Sequence, residues 1–251
     1  MSKTTLTNPA VIESDGIDIK VRKHNVSTMI MHGCVASGFI ICGISGIVLW
    51  LGGGDAMRGV ISHLHWIAGI LFFFAPIIYI AGNFKKFARF TDQVTTFEKR
   101  DWGWLLVPFG GYPAEHLNLL RKNKKHPYVP PQDKYNAGQK GAALVLMFGS
   151  LVLGVSGLIM VADGGNLIAL TPAMTWLIWR IHLIAAIITI LVFLVHFYLS
   201  AIWPANRKGE FGSMWKDGQA DYEFTEEEHG EWLNTLEIIG ERTVEGQKPS
   251  K

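Results

Sequence analysis

Residues 181–206 read IHLIAAIITILVFLVHFYLSAIWPAN, a run without Asp, Glu, Lys or Arg whose ionisable side chains are His182, His196 and one tyrosine. About 20 apolar residues cross a bilayer as one helix, so this stretch places the chain in lipid. Three more uncharged stretches precede it, at 25–54, 59–84 and 141–162. The whole chain agrees: 251 residues, 49% hydrophobic, only 18% charged, nine Trp, and a positive mean hydropathy. That balance excludes an ordinary soluble domain and a disordered chain. A net charge of +2 gives no footing for nucleic acid. Cys34 and Cys42 share one apolar block and no Cys-x-x-Cys-His occurs, so neither a disulfide framework nor covalent haem attachment is available.

The expected fold is all-α: an integral membrane four-helix bundle with cytoplasmic termini and a soluble C-terminal tail. The first apolar stretch starts late, is too long for a signal-peptide core and lacks a small-residue cleavage site, so it reads as a retained helix. Pro76 falls inside the second span and predicts a kink there. Thr171 and Pro172 read as N-cap and first residue of the fourth helix, with Trp176 and Trp179 at the interface and Arg180 snorkelling outward. Of the 23 Lys and Arg, only Arg58 and Arg180 lie near the two short loops, which puts both termini in the cytoplasm. The expected parts are an N-terminal segment 1–23, a membrane domain 24–206 that includes a cytoplasmic connection 85–140, and a tail 207–251. Apolar patches at 102–106 and 116–120 give the connection a partly interfacial character. The tail after Pro204 has 11 acidic and 6 basic residues, and Thr225 with Glu228 reads as a capping box for a helix through Ile239. No internal repeat is apparent.

The chemistry lies in the histidines, because an ionisable group at membrane depth is costly and marks a functional site. Taken singly, each of His32, His65, His182 and His196 reads as a hydrogen-bonded core residue. Together they read differently. His182 and His196 are 14 residues apart, about 21 Å of rise on nearly one helix face. His32 and His196 lie at matching depths near the cytoplasmic side, and His65 and His182 match more loosely near the outer side. Two stacked pairs are what two bis-imidazole haems require, whereas zinc gathers three or four ligands at one point. His63, two residues from His65, is the competing candidate for the outer pair; His65 is deeper and has Gly69 one turn on. Glycines at 33, 38, 43, 46, 69, 149, 154 and 157 give room for a porphyrin, or equally for close helix packing.

The sequence resembles the membrane cytochrome b (gamma) subunit of respiratory formate dehydrogenases. The resemblance covers about residues 24–215 and is carried by the runs 181–183 and 195–197, by His65-Trp66-Ile67-Ala68-Gly69, and most sharply by Lys134-Tyr135-Asn136-Ala137-Gly138-Gln139-Lys140. It implies two haem b groups, one held by His65 and His182 and one by His32 and His196. It also implies a quinone, menaquinone or ubiquinone, at Asn136, Gly138, Gln139 and His196. Two amides one turn apart suit a quinone carbonyl, and equally an N-terminal cap. The implied partners are an iron-sulfur subunit and a molybdenum or tungsten catalytic subunit in a bacterial inner membrane, with formate oxidised outside and quinone reduced on the cytoplasmic side. Related di-haem subunits serve thiosulfate or polysulfide reductases and some hydrogenases.

Two other classes compete. A transporter or proton relay also uses membrane histidines, but it needs buried carboxylates and the four stretches contain none. A passive anchor gives no reason for paired depths. His24, His116, His126 and His229 lie outside the spans and read as solvated surface residues, and the two cysteines as small apolar fillers.

Overall fold

In a computed structural model the described residues are 12–14, 19–52, 55–120, 129–203 and 207–236. Four helices are long and apolar enough to cross a membrane: α1 (Val26–Trp50), α2 (Asp55–Thr95), α5 (Ala137–Gly164) and α6 (Pro172–Phe197), the last continued by a π-helical turn, Tyr198–Ile202. Their spans have mean hydropathies of 2.0 to 2.5. The all-α membrane bundle is therefore correct, and the chain is an integral membrane protein.

The chain divides into two compact units, one made of 27–95 and 140–198, the other of 1–26, 96–139 and 199–251. In the first, the helix exteriors carry large apolar side chains such as Ile78, Phe148 and Leu191, the surface that hydrocarbon accepts. Its core is Phe39, Phe72 and Leu153, packed with Val35, Ala185, Ala186, Ile190 and Phe193. Close packing there needs glycine: a Cβ on Gly38 would come within 2.9 Å of the Phe72 Cβ. The break in α2 falls at Asn83 (φ −135°, ψ 34°), not at Pro76 where the sequence suggested a kink. Asn83 is tied into the break through its amide, which donates to the Tyr79 carbonyl and accepts from the Ser27 hydroxyl.

Thr171 caps α6 by accepting from the Met174 N–H, with Pro172 in the first turn, as expected. The third span runs two residues past its uncharged stretch, through Asp163 to Gly164. That carboxylate accepts from the Leu170 N–H and the Thr175 hydroxyl, so it fastens the short loop before α6.

The second unit is more ordered than the sequence suggested. Strands β1 (Ile12–Ser14), β2 (Ile19–Arg22) and β3 (Gln219–Asp221) form an antiparallel sheet in the order β1-β2-β3, with Lys20 opposite Asp221 and Val21 opposite Ala220. The connection supplies α3 (Lys99–Leu106) and α4 (Tyr112–Leu120), and the tail supplies α7 (Gly212–Trp215) and α8 (Tyr222–Asn234). Trp104 of α3 is buried while Trp102 and Leu106 are exposed, giving that helix two faces. The Trp104 ring lies against the backbone at Gly110, whose φ of +64° also calls for glycine.

Two expectations need correction here. The N-cap of α8 is Asp221, and Thr225 lies inside the helix with its hydroxyl on the Asp221 carbonyl, so Thr225 and Glu228 form no capping box. The helix ends at Asn234; Ile239 lies outside the described residues. Nor are the extramembrane histidines solvated: His24 and His229 are buried, and half-buried His116 stacks on Trp203 with ring centroids 3.8 Å apart. The Trp203 ring and the Asp133 carbonyl, which meet His116 and His229, lie far away in sequence, so no local pattern announces them, although His116 Nδ1 also meets the Tyr112 carbonyl of its own helix. His126 lies outside the described residues.

Candidate functional site

Helix lengths place the four membrane histidines at matched depths. His65 and His182 each stand ten residues past the start of their helices, counted from Asp55 and Pro172. His32 stands six residues past Val26, and His196 six before Ile202. Counted from the start of the apolar span at Arg58, His65 lies seven residues in, so the agreement for the first pair holds to within one turn, as the sequence indicated.

The rings meet as pairs. His65 faces His182 with centroids 6.3 Å apart and planes inclined at 67°. His32 faces His196 at 6.4 Å and 59°. Neither separation is a ring contact. Imidazoles bound to opposite sides of one metal, each nitrogen about 2 Å from it, have centroids about 6 Å apart. Each separation is therefore of the size that two imidazoles holding one haem iron between them would have. Among the described residues no three His, Cys, Asp or Glu side chains gather at a point.

His63 points elsewhere: exposed, it bonds through Nδ1 to the Gly59 carbonyl of its own helix and lies 6.0 Å from the Trp66 ring. Between the two pairs sit the aromatic rings of the core, Phe39 with Phe193 at 4.9 Å and with Phe72 at 5.7 Å.

Two functional candidates escaped the sequence reading. The Ser45 hydroxyl lies 3.0 Å from His65 Nδ1, and the Ser156 hydroxyl 2.8 Å from His182 Nδ1. Each serine oxygen also lies 2.6 Å from the carbonyl four residues earlier, Ile41 or Val152. The signal was present as Gly-x-Ser-Gly at 43–46 and again at 154–157. The Cys42 thiol bonds to the His65 carbonyl and touches no disulfide partner.

Asn136, Gly138 and Gln139 stand at the start of α5, where the amides cap one another. Asn136 N–H donates to Gln139 Oε1 at 3.0 Å and Gln139 N–H to Asn136 Oδ1 at 2.9 Å. A Cβ on Gly138 would fall 2.6 Å from the Trp104 ring. The string 134–140 thus has a structural role as a helix start. These three residues belong to the extramembrane unit and His196 to the helical one.

Arg180 lies between two indoles, with its guanidinium carbon 5.2 Å from the centroids of both Trp176 and Trp179. This fixes its charge at the short-loop end by cation–π attraction.

A facing pair of imidazoles at each of two depths in a four-helix membrane bundle is the arrangement of a transmembrane b-type cytochrome. No curated protein matches the chain. Residues 23–217 match the family described as prokaryotic cytochrome b561, a span that takes in all four crossings and both histidine pairs. The chain belongs to the prokaryotic cytochrome b561 family, membrane cytochromes that bind haem b and carry electrons across the bilayer.

Proposed function

We propose that the chain is the di-haem cytochrome b subunit of a respiratory formate dehydrogenase, connecting an iron-sulfur partner on the outer face to a quinone on the cytoplasmic side. The observation that supports this reading best is the pair of ring separations, 6.3 and 6.4 Å, at the two ends of one bundle. His65 and His182 would hold one haem b and His32 and His196 the other. Bound there, each haem supplies a one-electron redox centre.

What the chain itself contributes follows from its own residues. The helices hold the imidazoles in opposed pairs. The Phe39, Phe72 and Phe193 rings exclude water between the pairs. Asp163, spent on capping, is not poised to pass protons, which weakens the transporter reading. A packing-only anchor gives no reason for two half-buried imidazole pairs at the same spacing. On the family resemblance, quinone is assigned to Asn136, Gly138, Gln139 and His196. Both amide oxygens there accept backbone N–H bonds, and an amide NH2 is the donor a quinone carbonyl needs. The catalytic subunit with molybdenum or tungsten is the partner in which formate would be oxidised.

The test has two stages. Haem extraction and a dithionite difference spectrum of the purified chain should give two b-type haems per polypeptide. His65→Ala and His182→Ala should each remove the same one, and His32→Ala and His196→Ala the other. A colourless folded protein, or loss of a haem with His63→Ala but not His65→Ala, overturns the ligand assignment. In membranes carrying the intact complex, formate should reduce the haems. Reduction by hydrogen instead, or oxidation by thiosulfate or polysulfide, reassigns the partner.

A further inference from the structure

The sequence Gly-x-Ser-Gly occurs in α1 as Gly43-Ile44-Ser45-Gly46 and in α5 as Gly154-Val155-Ser156-Gly157. The two copies serve the two members of one facing pair, His65 and His182. We propose that Ser45 and Ser156 are positioning residues that fix the tautomer of these two histidines and lower the reduction potential of the haem they hold. This rests on the ligand assignment above.

A serine oxygen has one proton to give and lone pairs to receive. The Ile41 and Val152 carbonyls, 2.6 Å away, can only accept, so each hydroxyl proton goes to its carbonyl. The serine oxygen must then accept from the imidazole, which puts the ring proton on Nδ1 of His65 and of His182. Nε2 is left with its lone pair, the form a metal takes. Both serines are buried, at 4% and 5% exposure, so water does not compete for these bonds.

The glycine after each serine keeps the same ring edge clear. A Cβ on Gly46 would lie 3.2 Å from His65 Cε1, and one on Gly157 3.6 Å from His182 Cε1. Each ring is thus seated against a neighbouring helix by one hydrogen bond; a Cβ would crowd the ring at Gly46, while at Gly157 it would make an ordinary contact.

The electronic consequence follows from the direction of the bonds. A chain running from Nδ1–H through the hydroxyl to a helix carbonyl polarises the ring and makes Nε2 a stronger donor. A stronger donor favours ferric over ferrous iron and lowers the potential. Two such chains would reach the iron held by His65 and His182, one through each ligand. Serines that bond back to their own helix are also common as simple packing features of membrane helices, and the experiment must separate the two roles.

The experiment is an optical redox titration of the purified full-length chain, with low-temperature electron paramagnetic resonance of its ferric form, for wild type, Ser45→Ala, Ser156→Ala, the double variant and the two Ser→Thr variants. Both alanine variants should raise the same one of two midpoint potentials, the one belonging to the haem missing in His65→Ala. The double variant should raise it further, and threonine, which keeps the hydroxyl, should restore it. That haem's ferric resonance should shift while the other's stays in place. Selective loss of that haem in the alanine variants supports the hydroxyl's positioning role when threonine restores the haem, and overturns it when threonine does not. Unchanged potentials and resonances in a protein with both haems overturn it, as does movement of different haems by the two serines. Wild-type protein without haem would instead defeat the ligand assignment beneath it, so the two failures are distinguishable.

Discussion

At Gly154 a Cβ would fall 1.8 Å from the Phe73 ring, whereas at Gly43 it would meet nothing within 4 Å. The sequence offers both glycines equally as room for a porphyrin or as helix packing, and the structure separates them. Gly154→Ala forces the Phe73 ring out of its place, and overpacking of this kind costs about 1–3 kcal/mol. Gly43→Ala adds a methyl to open space and gains helix propensity worth up to about 1 kcal/mol. Unfolding of the two variants in mixed detergent, followed by circular dichroism, should therefore show opposite changes from wild type. Equal effects would mean that Phe73 swings aside freely. The histidines were legible earlier than the glycines because a polar group in an apolar run is conspicuous by itself. Ser45 and Ser156 were not, because a single hydroxyl in a membrane helix is commonplace and only its aim at an imidazole gives it meaning.

Elements far apart in sequence meet in a buried charged cluster within the extramembrane unit. Lys23, just after β2, donates to Glu210 Oε1 at 2.6 Å, and both lie about 3 Å from Nε2 of His229 in α8. His229 Nδ1 bonds to the Asp133 carbonyl at 2.7 Å, so the ring carries its proton there and Nε2 accepts from Lys23. Burial first, and then the Lys23 charge, push the His229 pKa below 6.5, against the pull of Glu210 and the Asp133 carbonyl. Burial alone would raise Glu210, but the charge of Lys23, whose ammonium also donates to the carboxylate, holds it well below 4.5. Both folded-state values lie below their unfolded ones, so the folded chain binds fewer protons and loses stability as the pH falls. The histidine limb begins as the pH drops through about 6.5, with a slope of at most about 1.4 kcal/mol per unit for one proton. The glutamate limb follows below about 4.5. Melting of the solubilised chain between pH 7.5 and 5.5 should show the midpoint falling with pH in wild type. His229→Gln, which cannot titrate, should melt lower but with a flatter profile. A profile as steep as wild type in that variant would assign the limb to other groups. None of this was legible locally: the Lys23 contacts span 187 and 206 residues, and the periodicity of a strand or a helix carries no information about such a partner.

For the whole molecule, the four crossings were readable because lipid imposes a length and forbids charge, and those constraints act on contiguous residues. The assembly of 1–26, 96–139 and 199–251 into one unit was not readable, since each piece is short and mixed in character and finds its partners only after the helices have brought the chain back. Orientation stands between these cases, because the asymmetry of charge is explicit while the membrane that reads it is external to the chain. The helix ends at Trp50, Asp55, Gly164 and Pro172 share one side of the bilayer, where Arg58 and Arg180 are the nearby cations. The remaining Lys and Arg, flanking the other ends, favour retention of that side in the cytoplasm. A fluorescent protein fused after Lys251 should therefore fluoresce in cells, and alkaline phosphatase at the same place should be inactive. Single cysteines placed at Gly165 or Gly52, in a chain with Cys34 and Cys42 replaced by Ala, should react with a membrane-impermeant maleimide on intact spheroplasts, and one placed at Ser213 only after permeabilisation. The outcome fixes more than topology. Along α6 the two histidine depths differ by about 21 Å of helix rise, so the side on which the termini lie decides whether an electron passing from His182 to His196 moves inward or outward. Inward movement, with protons taken up on the cytoplasmic side, adds to the membrane potential; the reverse labelling pattern would make the same redox step dissipate it.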